Sequence, residues 1–284
     1  MRYLITGGSG KLGSDLIKQL KKEGHTVCAP SHKEMNLLNE KEVISKVLLF
    51  KPDVILHSAA YTNVAKAEID FMNAYKTNVI GTRNITMASE LCNSKIIYIS
   101  TDYVFDGKKH GIYEVNDKTN PLNIYGETKL SGEEIIKNNP NHFISRVSWL
   151  FGENGNDFVK TMINLSKNNK ELSIIDDQIG SPTYSSDLAT ALINMSKTDK
   201  YGTYHITNEG FCSWAEFASK IFELTNKNIK INKVSTEEYS KGKEIVLRPL
   251  NSKLDKSKLV SSGFSLLPSW EESLKDDIKS LSLK

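Results

Sequence analysis

Thr6-Gly7-Gly8-Ser9-Gly10-Lys11-Leu12-Gly13 is a glycine-rich turn that directly follows the first apolar run of the chain, residues 3–5. Gly7 permits a tight turn, Gly10 lets the backbone approach a pyrophosphate, and Gly13 allows close packing of a helix on a strand. The amides and the dipole at the N-terminus of the following helix attract an anion. Because the triplet lies between a strand and a helix, it predicts a dinucleotide-binding site rather than a plain turn.

Short apolar runs alternate with longer helical patterns through the first half of the chain. The runs predict strands at residues 3–5, 26–29, 54–57, 96–100 and 143–147. The patterns between them predict helices at residues 11–22, 40–50, 67–92 and 128–137. Apolar strands separated by helices indicate a parallel sheet covered on both faces, and right-handed crossovers make it doubly wound. We therefore predict an α/β fold of the Rossmann type.

The second half of the chain has a different pattern. Short strands are predicted at residues 172–175, 203–206 and 229–234, and capping boxes begin at Ser213 and Ser269. We assign residues 1–150 to a nucleotide-binding domain that carries the catalytic groups. Residues 151–284 are assigned mainly to a smaller substrate-binding region, from which some residues return to the core domain.

Composition and charge narrow the class of protein. The 284 residues include 37 basic and 34 acidic side chains, a balance that argues against a nucleic-acid or membrane surface defined by charge. Cys28, Cys92 and Cys212 form no metal-type pair and are expected to be reduced. No apolar run approaches the roughly 18 residues of a membrane span, and the early glycine turn leaves no room for a signal peptide. We expect a cytoplasmic protein.

Two loops after predicted strands bear on the cofactor. The second strand is followed by Ser31 and Lys33, with no carboxylate at the strand end to bind a ribose 2′-hydroxyl, so a 2′-phosphate and NADPH are favoured over NADH. The third strand is followed by small residues that let the backbone lie against a cofactor. This second loop comprises Ala59, Ala60, Tyr61 and Thr62.

Tyr125-Gly126-Glu127-Thr128-Lys129 predicts the chemistry. Residues four apart on a helix share a face, so Tyr125 and Lys129 can act together. A ketone reductase needs a proton donor, and an adjacent ammonium is expected to lower the pKa of the phenol toward working pH. Thr101, at the end of the fourth strand, can bond the carbonyl oxygen and orient the phenol, and Asp102 and Tyr103 follow at the same edge.

The longer segments around these residues resemble the dTDP-4-dehydrorhamnose reductase family of extended short-chain dehydrogenases. They occur in the order of that family over almost the whole chain, and STDYVFDG with DQ-x-G-x-PT is far more specific than the glycine or Tyr–Lys patterns. The segments are AAYTNVAKAE at 59–68, STDYVFDG at 100–107, PLNIYGETK at 121–129, RVSW at 146–149, DQIGSPT at 177–183 and RPLNS at 248–252.

The resemblance implies roles for individual residues. Thr101, Tyr125 and Lys129 would be the catalytic group, with Tyr125 and Lys129 also bordering the cofactor. The cofactor would lie on Gly10, Lys11, Leu12, Ala60, Tyr61 and Thr62, with an adenine-side contact near Asn36 and Leu37, where the family usually has an acidic residue at 36. The 4-keto sugar would lie near Thr101, Asp102 and Trp149, beside Tyr103. Independently of the resemblance, Arg248 and Lys160 are candidates for phosphate contact by their charge, and ordinary surface charge is the alternative for each.

Some members of the family bind Mg²⁺ between two subunits through carboxylates. The resemblance therefore raises the question of a bound Mg²⁺ and of a homodimer. Asp15, Asp187 and Glu271 stand at roughly matching places. Carboxylates on helix surfaces are usually just solvated, and the sequence assigns no metal.

The function predicted from these observations is the NAD(P)H-dependent reduction of dTDP-4-dehydro-L-rhamnose to dTDP-L-rhamnose. Two other functions stay open. One is a nucleotide-sugar epimerase or dehydratase, which retains its NAD⁺ and returns the hydride. The other is a non-catalytic regulatory subunit of the methionine adenosyltransferase type, which has this fold and binds a protein partner. An intact catalytic group favours turnover, although a fold alone never proves function.

Overall fold

A parallel six-stranded sheet forms the centre of the computed structural model, which describes residues 1–242 and 245–282. The strands are β1 (Arg2–Thr6), β2 (Thr26–Cys28), β3 (Val54–His57), β4 (Lys95–Thr101), β5 (His142–Val147), β6 (Leu150–Phe151), β7 (Glu171–Ile175), β8 (Ile179–Gly180), β9 (Thr183–Tyr184), β10 (Gly202–His205), β11 (Cys212–Ser213) and β12 (Lys230–Val234). The main sheet has the order β10-β5-β4-β3-β1-β2, and its neighbouring strands are all parallel.

Helices cover both faces of this sheet and build the second half of the chain. The α-helices are α1 (Lys11–Lys22), α2 (Glu40–Phe50), α3 (Val64–Ile69), α4 (Phe71–Tyr75), α5 (Gly81–Leu91), α6 (Ile124–Ile136), α7 (Phe158–Leu165), α8 (Ser185–Ser196), α9 (Trp214–Leu224), α10 (Thr236–Ser240), α11 (Ser257–Ser261) and α12 (Trp270–Ser282). A π-helix spans Lys76–Ile80 and a 3₁₀ turn spans Asp102–Val104. None of the helices in the described ranges is long and apolar enough to cross a membrane.

The predicted Rossmann-type fold is confirmed, and each strand predicted in the first half lies within one residue of an observed one. The apolar side chains of β1 are buried on both faces of the sheet, as expected for a central parallel strand. On α1 the buried residues Leu12, Leu16 and Leu20 recur every four positions, which is the stripe of a helix that packs on a sheet.

The strand order brings the predicted site residues to one edge of the sheet. From β1 the chain runs first to β2 on one side and then to β3 on the other, so the order reverses beside β1. Thr6 pairs with His57, and Thr101 pairs with Val147, at the carboxyl ends of their strands. Open α/β sheets bind ligands in the crevice at such a reversal.

The single helix predicted for residues 67–92 is wrong, because three α-helices and a π-helix replace it. The backbone of Asp70 leaves the helical region at φ −110° and ψ 43°, which ends α3 and starts α4. The π-helix Lys76–Ile80 then inserts a wider turn before α5. Apolar periodicity alone does not reveal such a turn, which often occurs at functional sites.

The helix predicted from residue 128 begins earlier, at Ile124. Asn123 caps it, because its side chain accepts a hydrogen bond from the amide of Gly126. Tyr125 therefore lies in the first turn of α6, and Lys129 lies one turn farther along the same face.

The second half of the chain contributes to two different cores. Leu188, Leu192 and Ile206 pack under the main sheet with residues of its first half. A separate core forms around Phe217 and Trp270, beginning at Phe151. Strand β10 also joins the main sheet, while the division at residue 150 stays a prediction.

The two predicted capping boxes differ. At Ser213 both halves are present, because its side chain accepts from the Glu216 amide and the Glu216 carboxylate accepts from the Ser213 amide. At Ser269 one bond is present, from the Glu272 amide to the serine hydroxyl at 3.3 Å.

Asp277 on α12 predicts a pH dependence of stability. Its carboxyl is buried, and neither oxygen has a hydrogen-bond partner within residues 1–242 and 245–282. Burial raises the pKa of Asp277 to about 7, and Lys160 acts in the opposite direction. The pKa in the unfolded chain is about 4. The neutral carboxyl therefore favours folding at low pH, and this contribution is lost as pH rises toward 7.

We expect Asp277→Asn to raise the melting temperature at pH 8 and to leave it nearly unchanged at pH 4, where the carboxyl is already neutral. Thermal unfolding at both pH values is the measurement. An equal change at both would show that the charge of Asp277 is not the cause.

Candidate active site

The glycine turn forms a cradle with no room for side chains. Gly7 has a φ of +72°, and a Cβ there would lie 2.7 Å from the Ala59 nitrogen. A Cβ on Gly13 would lie 2.2 Å from the Gly7 oxygen, so the helix packs against the turn itself. No side chain caps α1 at Gly10, and the first amides of the helix are left for an anion. These features fit a pyrophosphate.

Hydrogen bonds fasten this turn to the third strand. The Thr6 hydroxyl lies 2.7 Å from His57 Nδ1, and Ala59 donates its amide to the same hydroxyl. His57 Nε2 lies 3.0 Å from the Thr82 hydroxyl, which donates to the Asn78 carbonyl, so Nε2 carries the proton. Burial lowers the pKa of His57 to about 3, which keeps the ring neutral. Sequence reasoning missed His57.

A second contact joins the loop after β3 to the catalytic helix. The Asn78 side chain, in the π-helix, accepts from the Tyr61 amide at 2.8 Å and donates to the Thr128 hydroxyl at 2.9 Å. The loop of Ala59, Ala60, Tyr61 and Thr62 is thus held beside α6. The sequence predicted only that Asn78 lies in a helix. Neither its role nor the π turn around it was predicted.

The side chains of Lys11 and Leu12 are engaged within the protein. The Lys11 ammonium lies 2.8 Å from the Asp157 carboxylate and also bonds two backbone oxygens of residues 154 and 156. Leu12 is buried in the core. Their predicted contribution to cofactor binding is therefore limited to backbone atoms. Lys160, a predicted phosphate contact, is also paired with Asp157 at 2.8 Å.

The loop after β2 contains a carboxylate, Glu34, that was not among the predicted cofactor contacts. Glu34 accepts hydrogen bonds from both the amide and the hydroxyl of Ser31, each at 2.8 Å, and so occupies that hydroxyl. Lys33 is exposed. Asn36 uses its side chain within the loop, accepting from the Leu38 amide, and the Leu37 carbonyl accepts from Asn84.

The structure brings Thr101, Tyr125 and Lys129 together at the sheet edge. The Thr101 side chain interacts with the Tyr125 hydroxyl and lowers the pKa of this phenol. The Lys129 ammonium lies 3.9 Å from the centre of the buried Tyr98 ring. Gly132 permits this packing, since a Cβ there would meet the Tyr98 hydroxyl. Tyr98 was not identified from the sequence.

Burial changes the electrostatics expected of this group. It raises the pKa of Tyr125 well above the usual range, and Asp102 and Tyr103 add to the rise. Burial also lowers the pKa of Lys129 to about 7. The expectation that the pKa of the phenol is lowered is therefore wrong for this chain by itself, because desolvation is the largest effect and outweighs the lowering by Thr101.

Asp102, Tyr103 and Arg248 lie together beside Tyr125. The buried Asp102 carboxylate accepts from Thr101 at 3.0 Å and from Ser252 at 2.5 Å, and burial raises its pKa to about 6. The Tyr103 hydroxyl lies near Arg248, which opposes the rise of the Tyr103 pKa to about 12 that burial causes. Its ring meets the edge of Tyr125 with 5.8 Å between centroids. Ser252 was quoted within a family segment but not predicted as a site residue.

Trp149 forms the aromatic part of this edge. Its backbone has a φ of +50°, and its indole stacks on that of Trp214, with 3.6 Å between centroids and an angle of 11°. The ring also packs on Gly180, where a Cβ would come within 3.0 Å of it. Trp214 was known from the sequence only as part of a capping box.

The carboxylates considered for Mg²⁺ do not form one group. Asp15 accepts from Ser185, whereas Asp187 accepts from Asn208 and Ser273. Across the described ranges, no cluster of three or more His, Cys, Asp or Glu side chains, with or without Glu271, is placed to hold a metal ion. The structure therefore does not support the metal that the resemblance raised.

Known proteins are similar to this chain in sequence and in fold over nearly its whole length. The family model described as RmlD substrate binding domain matches residues 1–283. The dTDP-4-dehydrorhamnose reductase of Aggregatibacter actinomycetemcomitans is 41% identical over 290 residues, which cover 97% of each chain.

Two crystal structures of proteins with the same name are similar to this chain. That from Bacillus anthracis, in complex with NADP, has a TM-score of 0.94 and 42% identity over 98% of each chain. That from Clostridium acetobutylicum has a TM-score of 0.95 and 40% identity, covering 99% of this chain and 100% of that one. The chain therefore belongs to the dTDP-4-dehydrorhamnose reductase family.

Proposed function

We propose that this protein reduces the 4-keto group of dTDP-4-dehydro-L-rhamnose to give dTDP-L-rhamnose, using a nicotinamide cofactor. The observation that carries this function is the group of the buried Thr101 and Lys129 with the half-buried Tyr125, at the same sheet edge as the glycine cradle. The names of the relatives support the substrate, and the NADP in the Bacillus anthracis structure supports the cofactor.

The cofactor is held by backbone atoms of Gly7, Gly10 and Gly13 and by the amides at the start of α1, with the loop of residues 59–62 beside it. When bound, it supplies the hydride for the 4-keto carbon. Tyr125 donates its phenolic proton to the carbonyl oxygen, to which Thr101 also bonds. The Lys129 ammonium stabilises the negative charge that this transfer leaves on the phenolate.

The substrate is bound by the surrounding edge. Asp102, Tyr103 and Arg248 contact the sugar and the diphosphate, and Trp149 packs beside them. Binding energy from the nucleotide positions the ketone against the reacting groups, so the remote contacts contribute to rate as well as affinity. We further propose that residues 151–284 form mainly a substrate-binding region, which adds to these contacts. A homodimer stays a prediction.

The function is tested by measuring NADPH oxidation with a panel of 4-keto nucleotide sugars. We expect stoichiometric oxidation with dTDP-4-dehydro-L-rhamnose. Conversion of a nucleotide sugar without net oxidation would indicate an epimerase or dehydratase. No turnover of any panel member, with recovery of a stoichiometric synthetase partner, would indicate the regulatory class.

We propose that NADPH is preferred to NADH by about tenfold in kcat/KM, about 1.4 kcal/mol. The exposed Lys33 can pair with a 2′-phosphate. The carboxylate of Glu34, which is bonded to Ser31 in the same loop, repels that phosphate. Lys33→Glu should abolish or invert the preference, and Glu34→Gln should increase it, with little change in the sugar KM. Steady-state kinetics with both cofactors decides this, and equal use of both by the wild type would refute it.

A further inference from the structure

A buried charge lies one helical turn beyond Lys129. Glu133 on α6 is fully buried and accepts two hydrogen bonds from Arg146 on β5, from Nε at 2.9 Å and from Nη2 at 2.8 Å. Its carboxylate also accepts from the Ser100 hydroxyl at 2.5 Å. Glu133 therefore ties α6 to β5 and to the residue that precedes Thr101.

The position of this carboxylate on the helix relates it to Lys129. Residues four apart on a helix lie on the same face, so Glu133 follows Lys129 toward the sheet. Removing either charge from water is costly unless opposite charge or hydrogen bonds compensate. Three hydrogen bonds compensate Glu133, and the buried ammonium of Lys129 lies 3.9 Å from the centre of the Tyr98 ring.

The neighbouring groups on β3 and β4 do not supply Lys129 with a negative charge. His57 on β3 is neutral, and the pKa of the buried Tyr98 on β4 is raised by burial. Asn78 and Thr82, from the π-helix and α5, carry no charge. The titratable and charged groups around Lys129 include His57, Tyr98, Tyr125, Glu133 and Arg146. Burial lowers the pKa of Lys129 to about 7, and Glu133 raises it.

We propose that Glu133 is a positioning residue that keeps the Lys129 side chain in its ammonium form beside Tyr125. The consequence for turnover rests on the proposed reductase function. Proton donation by Tyr125 leaves a phenolate, which an ammonium stabilises and a neutral amine does not. Turnover should therefore fall as pH rises through the pKa of Lys129, and removing the Glu133 carboxylate should move this fall to lower pH.

The matched variants are Glu133→Gln and Arg146→Gln, which break the same ion pair from opposite sides. We expect Glu133→Gln to move the alkaline limb of the kcat profile down by about one to two pH units, the usual effect of losing a nearby opposite charge. Arg146→Gln retains the carboxylate and should not move the limb down. A merely structural ion pair would slow both variants and leave the limb of each in place.

A second measurement reads Lys129 without turnover. The full chain is labelled with ¹³C-lysine and titrated by NMR without substrate, and the Lys129 signal is assigned by its loss in Lys129→Arg. We expect its midpoint to move down by the same one to two units in Glu133→Gln. If that variant does not fold, the double variant Glu133→Gln/Arg146→Met, which leaves no unpaired buried charge, is titrated instead.

The outcomes separate the two proposals. A wild-type Lys129 midpoint in the variant that lacks the carboxylate would overturn the role of Glu133, even if the reductase activity is found. A shifted midpoint in a protein that turns over no 4-keto nucleotide sugar would support Glu133 and refute the proposed function.

Discussion

Tyr125→Phe should retain NADPH binding and lose turnover by about 10²–10⁴-fold, the usual contribution of a positioned acid. The change removes one hydroxyl, which interacts with Thr101 and lies on the helix face that also carries Lys129. Because burial raises the pKa of this phenol, the hydroxyl holds its proton throughout the neutral range and is available as a donor. Replacing it leaves the ring contact with Tyr103 in place.

The measurements are kcat by NADPH oxidation and the NADPH Kd by fluorescence titration. Tyr201→Phe is a matched control, because its hydroxyl donates to Asp199 near the opposite edge of the sheet, before β10. We expect that control to turn over like the wild type. A wild-type kcat in Tyr125→Phe would remove Tyr125 from the mechanism.

Gly13→Ala should destabilise the protein by about 1–3 kcal/mol, the usual effect of overpacking, and should abolish NADPH binding. The added methyl would lie 2.2 Å from the Gly7 oxygen and 2.8 Å from the Gly8 Cα, and both are backbone atoms. The clash is relieved only if α1 moves away from the turn, which withdraws the helix amides from the pyrophosphate.

Urea unfolding and the NADPH Kd together check this prediction. Gly81→Ala is the matched control, since it makes the same change in a helix where the nearest atom, Leu37 Cβ, lies 3.3 Å away on a side chain. We expect that control to bind NADPH. Binding of NADPH by Gly13→Ala with the wild-type Kd would show that the cradle does not need its close approach.

Much of the fold was predictable because the relevant signals are local. Strand β1, the glycine turn and helix α1 follow one another along the chain, and each has its own signal in neighbouring residues. The predicted bounds of β1 and α1 agree with the structure to within one residue. The break at Asp70 and the π-helix were not predictable in the same way. They change the backbone without interrupting the apolar pattern, so periodicity read residues 67–92 as one helix.

The residues of the candidate site were also identified in part by local spacing. Tyr125 and Lys129 are four positions apart, and Thr101 ends an apolar run, so strand order alone brings them to one edge. By contrast, the partners that hold them are distant in sequence. Three such contacts form only when the chain is folded: His57 bonds Thr6 at the glycine turn, Trp214 stacks on Trp149, and Ser252 donates to Asp102.

The sequence by itself determined the order of strands and helices, the glycine cradle and the identity of the groups that can donate a proton. Only the tertiary structure decided the charge state of those groups. Desolvation depends on every atom packed around a side chain, and those atoms come from the whole chain. Burial therefore raised the pKa of Tyr125 and lowered that of Lys129. The tertiary structure also formed the Glu133–Arg146 ion pair between α6 and β5, which no spacing in the sequence revealed.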